Sequence, residues 1–406
     1  MLYLNVLGFN HIKEAFSNLF VKGEDYLVLE ILNHYVQVSL LKLNPEKREI
    51  LVLKNFIRQV PEFTAANVLH GTRMLLKKIR KLEKYKVILS LDSTLATTTH
   101  SSVSLVRQNS REIIDEADLD NLISQSIWRF FDKNRWRVAQ KMGIDDVDVI
   151  LSDVRIRDIR LDGHRVVNPI GFKARAVEIF FSQTLVGKEL LRGIRELDQN
   201  LNVVFITEAG TALCHVLSKI VGSNNFYAIN LFPNQTSMFV SAGDRLSHHD
   251  SFDWGGNALN NLLCRYLKVD QETAVAMINT YVSSSVSQNF LRKFETLLLK
   301  ELYVFANGIE SLLGDAGASI YLNAFLNFPQ IVYSSRFQSR FQKSVKLLSL
   351  STSMITEKLG YKVQFKSATP VKNPVSLLGA VLEMDFLPKN DILSRLANRR
   401  MRWLVN

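Results

Sequence analysis

The sequence predicts an α/β chain made of two related halves, with a small α+β unit set into the first half. Three observations carry that prediction. Tyr26–Leu43 (YLVLEILNHYVQVSLLKL) and Phe226–Leu246 (FYAINLFPNQTSMFVSAGDRL) share one make-up, an apolar strand, a short polar break and a second strand. Each therefore reads as a hairpin that opens a half of the molecule, and the chain reads as internally duplicated. Between the halves, a strand, a helix and two further strands follow in an order of their own, which sets that stretch apart as an insert.

Taken in order, the elements support this division. After the first hairpin a long helix is expected from Thr64, with Val68, Leu69, Thr72, Leu75, Ile79 and Leu82 at helical spacing. That spacing would leave Lys77, Lys78, Arg80, Lys81 and Lys84 on its solvent side. The strand Lys86–Leu91 follows. The insert begins with a strand over Val103–Arg107, and Asp115 then caps a helix whose Leu119, Leu122, Ile123, Ile127 and Phe130 form one apolar stripe. An alternating strand over Val147–Ile159, a turn at Asp162-Gly163 and a strand over Phe172–Phe181 complete it. A helix over Thr207–Ile220 precedes the second hairpin. Past Asn257 come several helical segments, the Ser-rich loop Ser283–Ser287, a long helix over Phe290–Leu313, and a break at Pro388. The expected boundaries are 1–102 and 183–200 for the first half, 103–182 for the insert, 201–387 for the second half and 388–406 for a tail.

The tail, DILSRLANRRMRWLVN from Asp391, reads as a basic amphipathic helix. Ile392, Leu393, Leu396, Ala397, Met401, Trp403 and Leu404 share one arc; Asp391, Arg395, Asn398, Arg399 and Arg402 take the other. Such a helix suits an anionic membrane surface, where each basic residue adds roughly 1 kcal/mol of attraction to the burial of the apolar arc. Arg400 breaks the pattern by sitting inside that arc. The competing reading is a terminal helix docked on its own domain.

Among 406 residues of net charge +11 there are two cysteines, Cys214 and Cys264, too few for a disulfide framework or a thiolate metal site; both are expected in the core. Apolar runs stay far below the ~20 residues of a spanning helix, and the N-terminus lacks the features of a signal peptide. A cytoplasmic protein is expected, peripheral on the inner membrane. RFQSRFQKSVK from Arg336 alternates aromatics with cations, but no RNA- or DNA-binding motif accompanies it, and no nucleic-acid partner is expected. His248-His249-Asp250 lies on a strand, where adjacent histidines face opposite ways, so a shared metal ion is not expected. His34 and His164 sit in turns with no ligand partner at suitable spacing, and no catalytic set is found.

Several segments resemble FtsA, the actin-like protein of bacterial division. Leu161–Ile179 (LDGHRVVNPIGFKARAVEI) resembles the DG…NP(I/V)G signature of that family's extra subdomain, of SHS2 type. Asp250–Leu263, with Gly255 and Gly256, resembles its strand, paired glycines and helix start. Asn373–Glu383 (NPVSLLGAVLE) resembles its last strand-to-helix passage, and the tail matches its membrane-targeting helix. The resemblance implies an actin-like, ribonuclease H-like duplicated fold, self-association, and an FtsZ-like tail as partner. PilM-like adaptors of pilus or secretion systems, which bind a peptide from an inner-membrane protein, share the fold and supply the alternative.

The departures bear on mechanism. In this superfamily two Gly- and Thr-rich hairpin turns wrap the phosphates of ATP, because bare backbone N–H groups must come close. Here the first turn reads Glu30-Ile31-Leu32-Asn33-His34 and the second Asn230-Leu231-Phe232-Pro233-Asn234-Gln235-Thr236. Phe232 would fill phosphate space, Pro233 offers no N–H, and Asn230 replaces the carboxylate used near the metal. The glycines expected near the adenine are replaced by Asn323-Ala324. A pseudo-ATPase with no catalytic residue, cofactor or metal is therefore expected; the alternative is a reshaped pocket holding ATP and Mg²⁺ through Thr236.

Overall fold

The computed structural model describes residues 23–60, 62–198, 201–223, 225–283, 287–314 and 318–387, together with 393, 396, 397 and 399–401 of the tail. The first sheet opens with β1 (Glu24–Leu32), β2 (Tyr35–Asn44) and β3 (Glu49–Gln59), then α1 (Ala65–Leu76) and β4 (Lys86–Leu91). From Leu27 to Leu32 every residue of β1 is buried, as expected of a strand covered on both faces. The second sheet contains β10 (Asn225–Leu231), β11 (Thr236–Ala242), β12 (Arg245–Phe252), β13 (Ala318–Ala324) and β14 (Val345–Ser349).

Strand order decides the fold. In space the first sheet runs β15-β3-β2-β1-β4-β9, where β9 is Asn202–Glu208 and β15 is Lys362–Phe365; the second begins β14-β13-β10-β11-β12. In each half the hairpin's second strand is antiparallel to its neighbours, while the first strand pairs in parallel with the strand that follows the crossover. Two copies of this 3-2-1-4-5 order make the duplicated ribonuclease H-like arrangement of the actin-like fold.

The insert continues the second sheet through β5 (Ala96–Val106), β8 (Ala176–Gly187), β6 (Val149–Leu161) and β7 (His164–Val166). One face is covered by α2 (Glu116–Met142), which Asp115 caps by accepting from the Asp118 N–H and which ends at Gly143, φ 64°. All five stripe residues of α2 are buried, and Phe130 meets Phe181 edge-on at 5.3 Å. The turn falls at Asp162 and Gly163, both with positive φ.

The remaining helices are α3 (Lys188–Leu197), α4 (Ala209–Val221), α5 (Asn257–Leu267), α6 (Gln271–Val282), α7 (Gln288–Leu312), α8 (Ser335–Gln338), α9 (Thr352–Leu359) and α10 (Pro374–Phe386). The apolar helices α4 and α10 pack on one another in a core fed by both sheets, including Val28 and Ile88 of the first and Ala228 and Phe239 of the second. Among the described residues no helix is long and apolar enough to cross a membrane.

Several expectations need correction. The helix from Thr64 stops at Leu76, and Lys81 turns the chain with φ 59°, so Ile79 and Leu82 reach the core from outside the helix. The first half does not close at residue 200, because β9 and β15 both join its sheet. The strand expected from Phe172 begins at Ala176; Gly171, φ 89°, donates to Ile114 O and holds the preceding residues in a turn, leaving Phe172 exposed. Cys214 is buried as expected, but Cys264 is only half-buried. Phe337 and Phe341 of the basic-aromatic segment are buried, and Arg340 stacks on Tyr303, so those rings are not presented to bases.

The tail docks on the insert. Leu393, Leu396 and Ala397 are buried in the same cluster as Leu119, Ile123 and Ile127 of α2. Leu393 and Leu396, expected to face lipid, are thus covered by protein here. Arg400 and Arg399 both pair with Asp120 of α2, the latter at 3.1 Å. Hydrogen bonding from Arg400 holds the Asp120 carboxyl below the usual carboxylate range. Arg400 lies within the apolar arc because its partner lies on the docking surface. Ile392, Arg395, Arg402, Trp403 and Leu404 fall outside the described residues.

Candidate functional site

The two hairpin turns face each other between the halves. The first is tight: Leu32 pairs with Tyr35 across Asn33 and His34, and His34 takes φ 65°. The second spans four residues, Phe232 to Gln235, closed by a hydrogen bond from Phe232 N to Gln235 O of 2.9 Å. The turns touch through Asn234 Nδ2 and His34 Nε2, 3.4 Å apart.

Phe232 points inward and is 2% exposed. It stacks on Phe325 with ring centroids 4.4 Å apart, and with Leu32, Tyr35 and Ala209 the two rings form one apolar cluster that joins the halves. Burial raises the Tyr35 hydroxyl well above its ordinary pKa, and its oxygen has no hydrogen-bond partner among the described residues. Burying a phenylalanine contributes about 1.5–3 kcal/mol, so this cluster favours a closed cleft.

The backbone of the second turn is also occupied. Phe232 O accepts from Gly256 N at 3.1 Å and Pro233 O from Asn257 N at 2.8 Å. A Cβ on Gly255 would lie 2.4 Å from Pro233 O, so only glycine allows this approach. Thr236 donates its hydroxyl to Trp254 O at 2.7 Å and is fully buried. Gly255 and Gly256, expected at a helix start, immediately precede α5 and brace the turn from behind.

Beneath the cluster runs a polar network that spans both halves. Asn323 Nδ2 donates to Asn230 Oδ1 at 3.0 Å, and Asn373 Nδ2 donates to Asn323 Oδ1 at 2.8 Å. Asn373 caps α10 by accepting from Ser376 N, and the Ser376 hydroxyl donates to Glu30 Oε1 at 2.9 Å. The other oxygen of Glu30 accepts from Gln37 Nε2 at 2.7 Å, and Gln37 Oε1 accepts from Lys372 N. Complete burial pushes the Glu30 carboxyl up to about 7, against the lowering effect of its two donors. Asn33 N donates to Asp92 Oδ2 at 3.3 Å, while Asn33 Oδ1 is buried without a partner among the described residues.

Of the positions expected to be degenerate, the structure brings Leu32 and Phe232 together in the plug and Glu30 and Asn230 together in the network, with Asn33 and Pro233 in the turns and Thr236 buried against Trp254 O. The sequence reading missed Tyr35 and Phe325 as plug residues and Gln37, Ser376 and Asn373 as links. Only a spatial map could have joined them, since bonded partners such as Glu30 and Ser376 are 346 positions apart.

A second buried cluster lies where the insert meets α4 and α10. Glu383 Oε1 accepts from His100 Nε2 at 2.9 Å, and its other oxygen accepts from Thr207 Oγ1 at 2.6 Å. His215 Nδ1 lies 3.7 Å from Oε1, and the two imidazoles meet edge to face at 4.8 Å. Burial drives both histidines toward the neutral form, His100 to about 3. Two imidazoles and one carboxylate, with ligand atoms within 4.8 Å, are a donor set a divalent cation could use. The Arg157 charge acts on the same carboxylate and on His100, which opposes a second cation there. The trio is better read as a latch holding β5, β9, α4 and α10 together. His248 and His249 face opposite ways as expected, one buried and one exposed.

Between β6 and the edge strand β9 lies an open groove of about 760 Å³, lined by Asp153, Arg155, Arg195, Val204, Ile206 and Met401 among others. Arg155 Nη2 donates to Val204 O at 2.5 Å and Asp153 Oδ2 accepts from Ile206 N at 3.2 Å, so side chains cap part of the strand's free edge.

No protein-family model matches the chain, and no curated protein does either. Among solved structures, the chain is similar to one described as the PilM-PilN type IV pilus biogenesis complex, at 14% identity over 93% of this chain and 98% of that one, TM-score 0.46. It is also similar to ethanolamine utilization protein EutJ from Carboxydothermus hydrogenoformans, at 10% identity over 94% and 99%, TM-score 0.39. A third is a protein of unknown function with an actin-like ATPase fold from Bacteroides thetaiotaomicron, at 10% identity over 83% and 95%, TM-score 0.37. At these values the likeness says nothing of activity or partners, and the fold rests on the strand order given above.

Proposed function

We propose that this chain is an actin-fold scaffold without ATPase activity, which holds an assembly partner at the cytoplasmic face of a membrane. The observation that supports this most strongly is Phe232 stacked on Phe325 between the hairpin turns, in the space that phosphates occupy in the actin-like proteins the sequence resembles. Neither cofactor nor metal is needed by such a scaffold, and the insert, FtsA-like in sequence, would serve contacts between copies.

The tail is the proposed tether, and its docked state sets the terms. Asp120 presents a carboxylate to Arg399 and Arg400 much as an anionic headgroup would. A vesicle surface rich in such groups competes for both cations and offers lipid to Leu393 and Leu396 in exchange for the insert. One interfacial helix holds a soluble body weakly, so several copies side by side would be required for stable attachment. Deleting residues 391–406 is expected to release the protein from anionic vesicles in co-sedimentation; unchanged sedimentation would reject the tail as tether.

The partner on the division reading is an FtsZ-like tail. The groove between β6 and β9 favours a second reading, a PilM-like adaptor, because a channel of that size suits a short peptide held by side chains, the β9 edge itself being taken by Arg155 and Asp153. Pull-down with FtsZ-like and PilN-like tails separates the two.

A further inference from the structure

The tail buries Leu393, Leu396 and Ala397 against the insert, so while it stays docked these side chains are not offered to lipid and a second surface would be needed in their place. The outer face of α2 has the composition for it. Trp128 and Trp136, 51% and 64% exposed, lie eight positions apart with Asp132 between them, on one i, i+4, i+8 ridge about 12 Å long. The adjacent ridge carries Arg129, Lys133 and Arg137, all exposed. Among the described residues no carboxylate forms an ion pair with any of these three. Arg135 packs over the Phe131 ring at 5.6 Å, which adds a fourth cation beside the tryptophans. Asp120, two turns before Trp128 on the same helix, holds Arg399, whose side chain is half-exposed, so the cationic surface continues into the docked tail.

We propose that this face of α2 is a second membrane-contacting surface that recognises anionic lipid. The proposal rests on the membrane-tethered reading above. A helix lying flat on a bilayer would place the two indoles at the level of the headgroups, where an apolar ring with one polar N–H is best accommodated. The Arg-Lys-Arg ridge would meet phosphate or carboxylate headgroups alongside. Arg129, Lys133 and Arg137 outnumber the single carboxylate of Asp132, and this net positive charge favours an anionic surface over an apolar protein partner.

Tryptophan emission tests this directly. Trp254 is buried and serves as a constant background, and a Trp403→Phe substitution removes the tail's indole. In that variant, vesicles of phosphatidylcholine with phosphatidylglycerol are expected to shift the emission of Trp128 and Trp136 to the blue. Brominated lipid should quench it, and neither effect should appear with phosphatidylcholine alone. The double variant Trp128→Ser, Trp136→Ser, altered only at exposed positions, should bind anionic vesicles at least tenfold more weakly with the tail intact. Emission unchanged by vesicles that nevertheless bind the protein through residues 391–406 would overturn the proposal and leave the tether standing. Absence of vesicle binding by every form would overturn both. A blue shift that follows protein concentration without lipid would assign the face to contacts between copies and likewise overturn it.

Discussion

Phe232→Ala is expected to lower the stability of the chain by about 3–5 kcal/mol, the range for truncating a large aromatic in a packed core. The side chain is almost fully buried, stacked on Phe325 and in contact with elements of both halves, so its removal opens a void where the halves join. Collapse into that void is restricted, because Gly255 and the backbone of 256 and 257 brace the turn from behind. Urea denaturation should show the loss as a lower midpoint with an unchanged slope. Phe232→Leu, which keeps most of the volume, should cost much less. The alanine variant should still fail to bind ATP, since Pro233 has no N–H to give and the asparagine network is untouched. A loss below about 1 kcal/mol would mean that the plug does not hold the halves together.

Glu30→Gln is expected to stabilise the protein, and only on the alkaline side. Burial raises the Glu30 carboxyl from 4.5 to about 7, so the folded state resists its ionisation. A raised carboxyl gives stability that is complete below pH 4.5, declines as pH rises through 7, and is lost above it. The accumulated penalty is about 3 kcal/mol at 1.36 kcal/mol per pH unit. Glutamine removes the ionisation and can keep both hydrogen bonds, accepting from Gln37 and donating to the Ser376 hydroxyl. Thermal or urea melts at pH 4 and pH 8 should therefore agree for wild type and variant at the lower pH and differ by up to that amount at the higher. Equal stability at pH 8 would show that Glu30 is ionised in the fold at little cost.

How much of this was legible in the sequence follows from what each residue answers to. Hairpins, the Asp115 cap and the apolar stripe of α2 were readable because local periodicity and capping decide them. The end of α1 was not: Ile79 and Leu82 keep helical spacing, yet they reach the core after a turn at Lys81 that no local rule required. The return of β9 and β15 to the first sheet depends on pairings between distant segments, which periodicity cannot encode. Phe232 and Pro233 announced a changed cleft because their chemistry is wrong for phosphate in any register. Phe325 gave no such signal, being an ordinary apolar residue until the fold sets it against Phe232. Arg400 shows the reverse case, an apparent flaw in an amphipathic pattern that Asp120 explains.

The central claim is that Phe232 and Phe325 occupy the space between the hairpin turns, so that the chain binds no nucleotide there. Titration of the full chain with ATP and magnesium, followed by calorimetry or equilibrium dialysis, tests it most directly. The account predicts no saturable binding up to about 1 mM, which corresponds to less than about 4 kcal/mol of binding free energy. Micromolar, magnesium-dependent binding that Thr236→Ala or Asn230→Ala abolishes would contradict it.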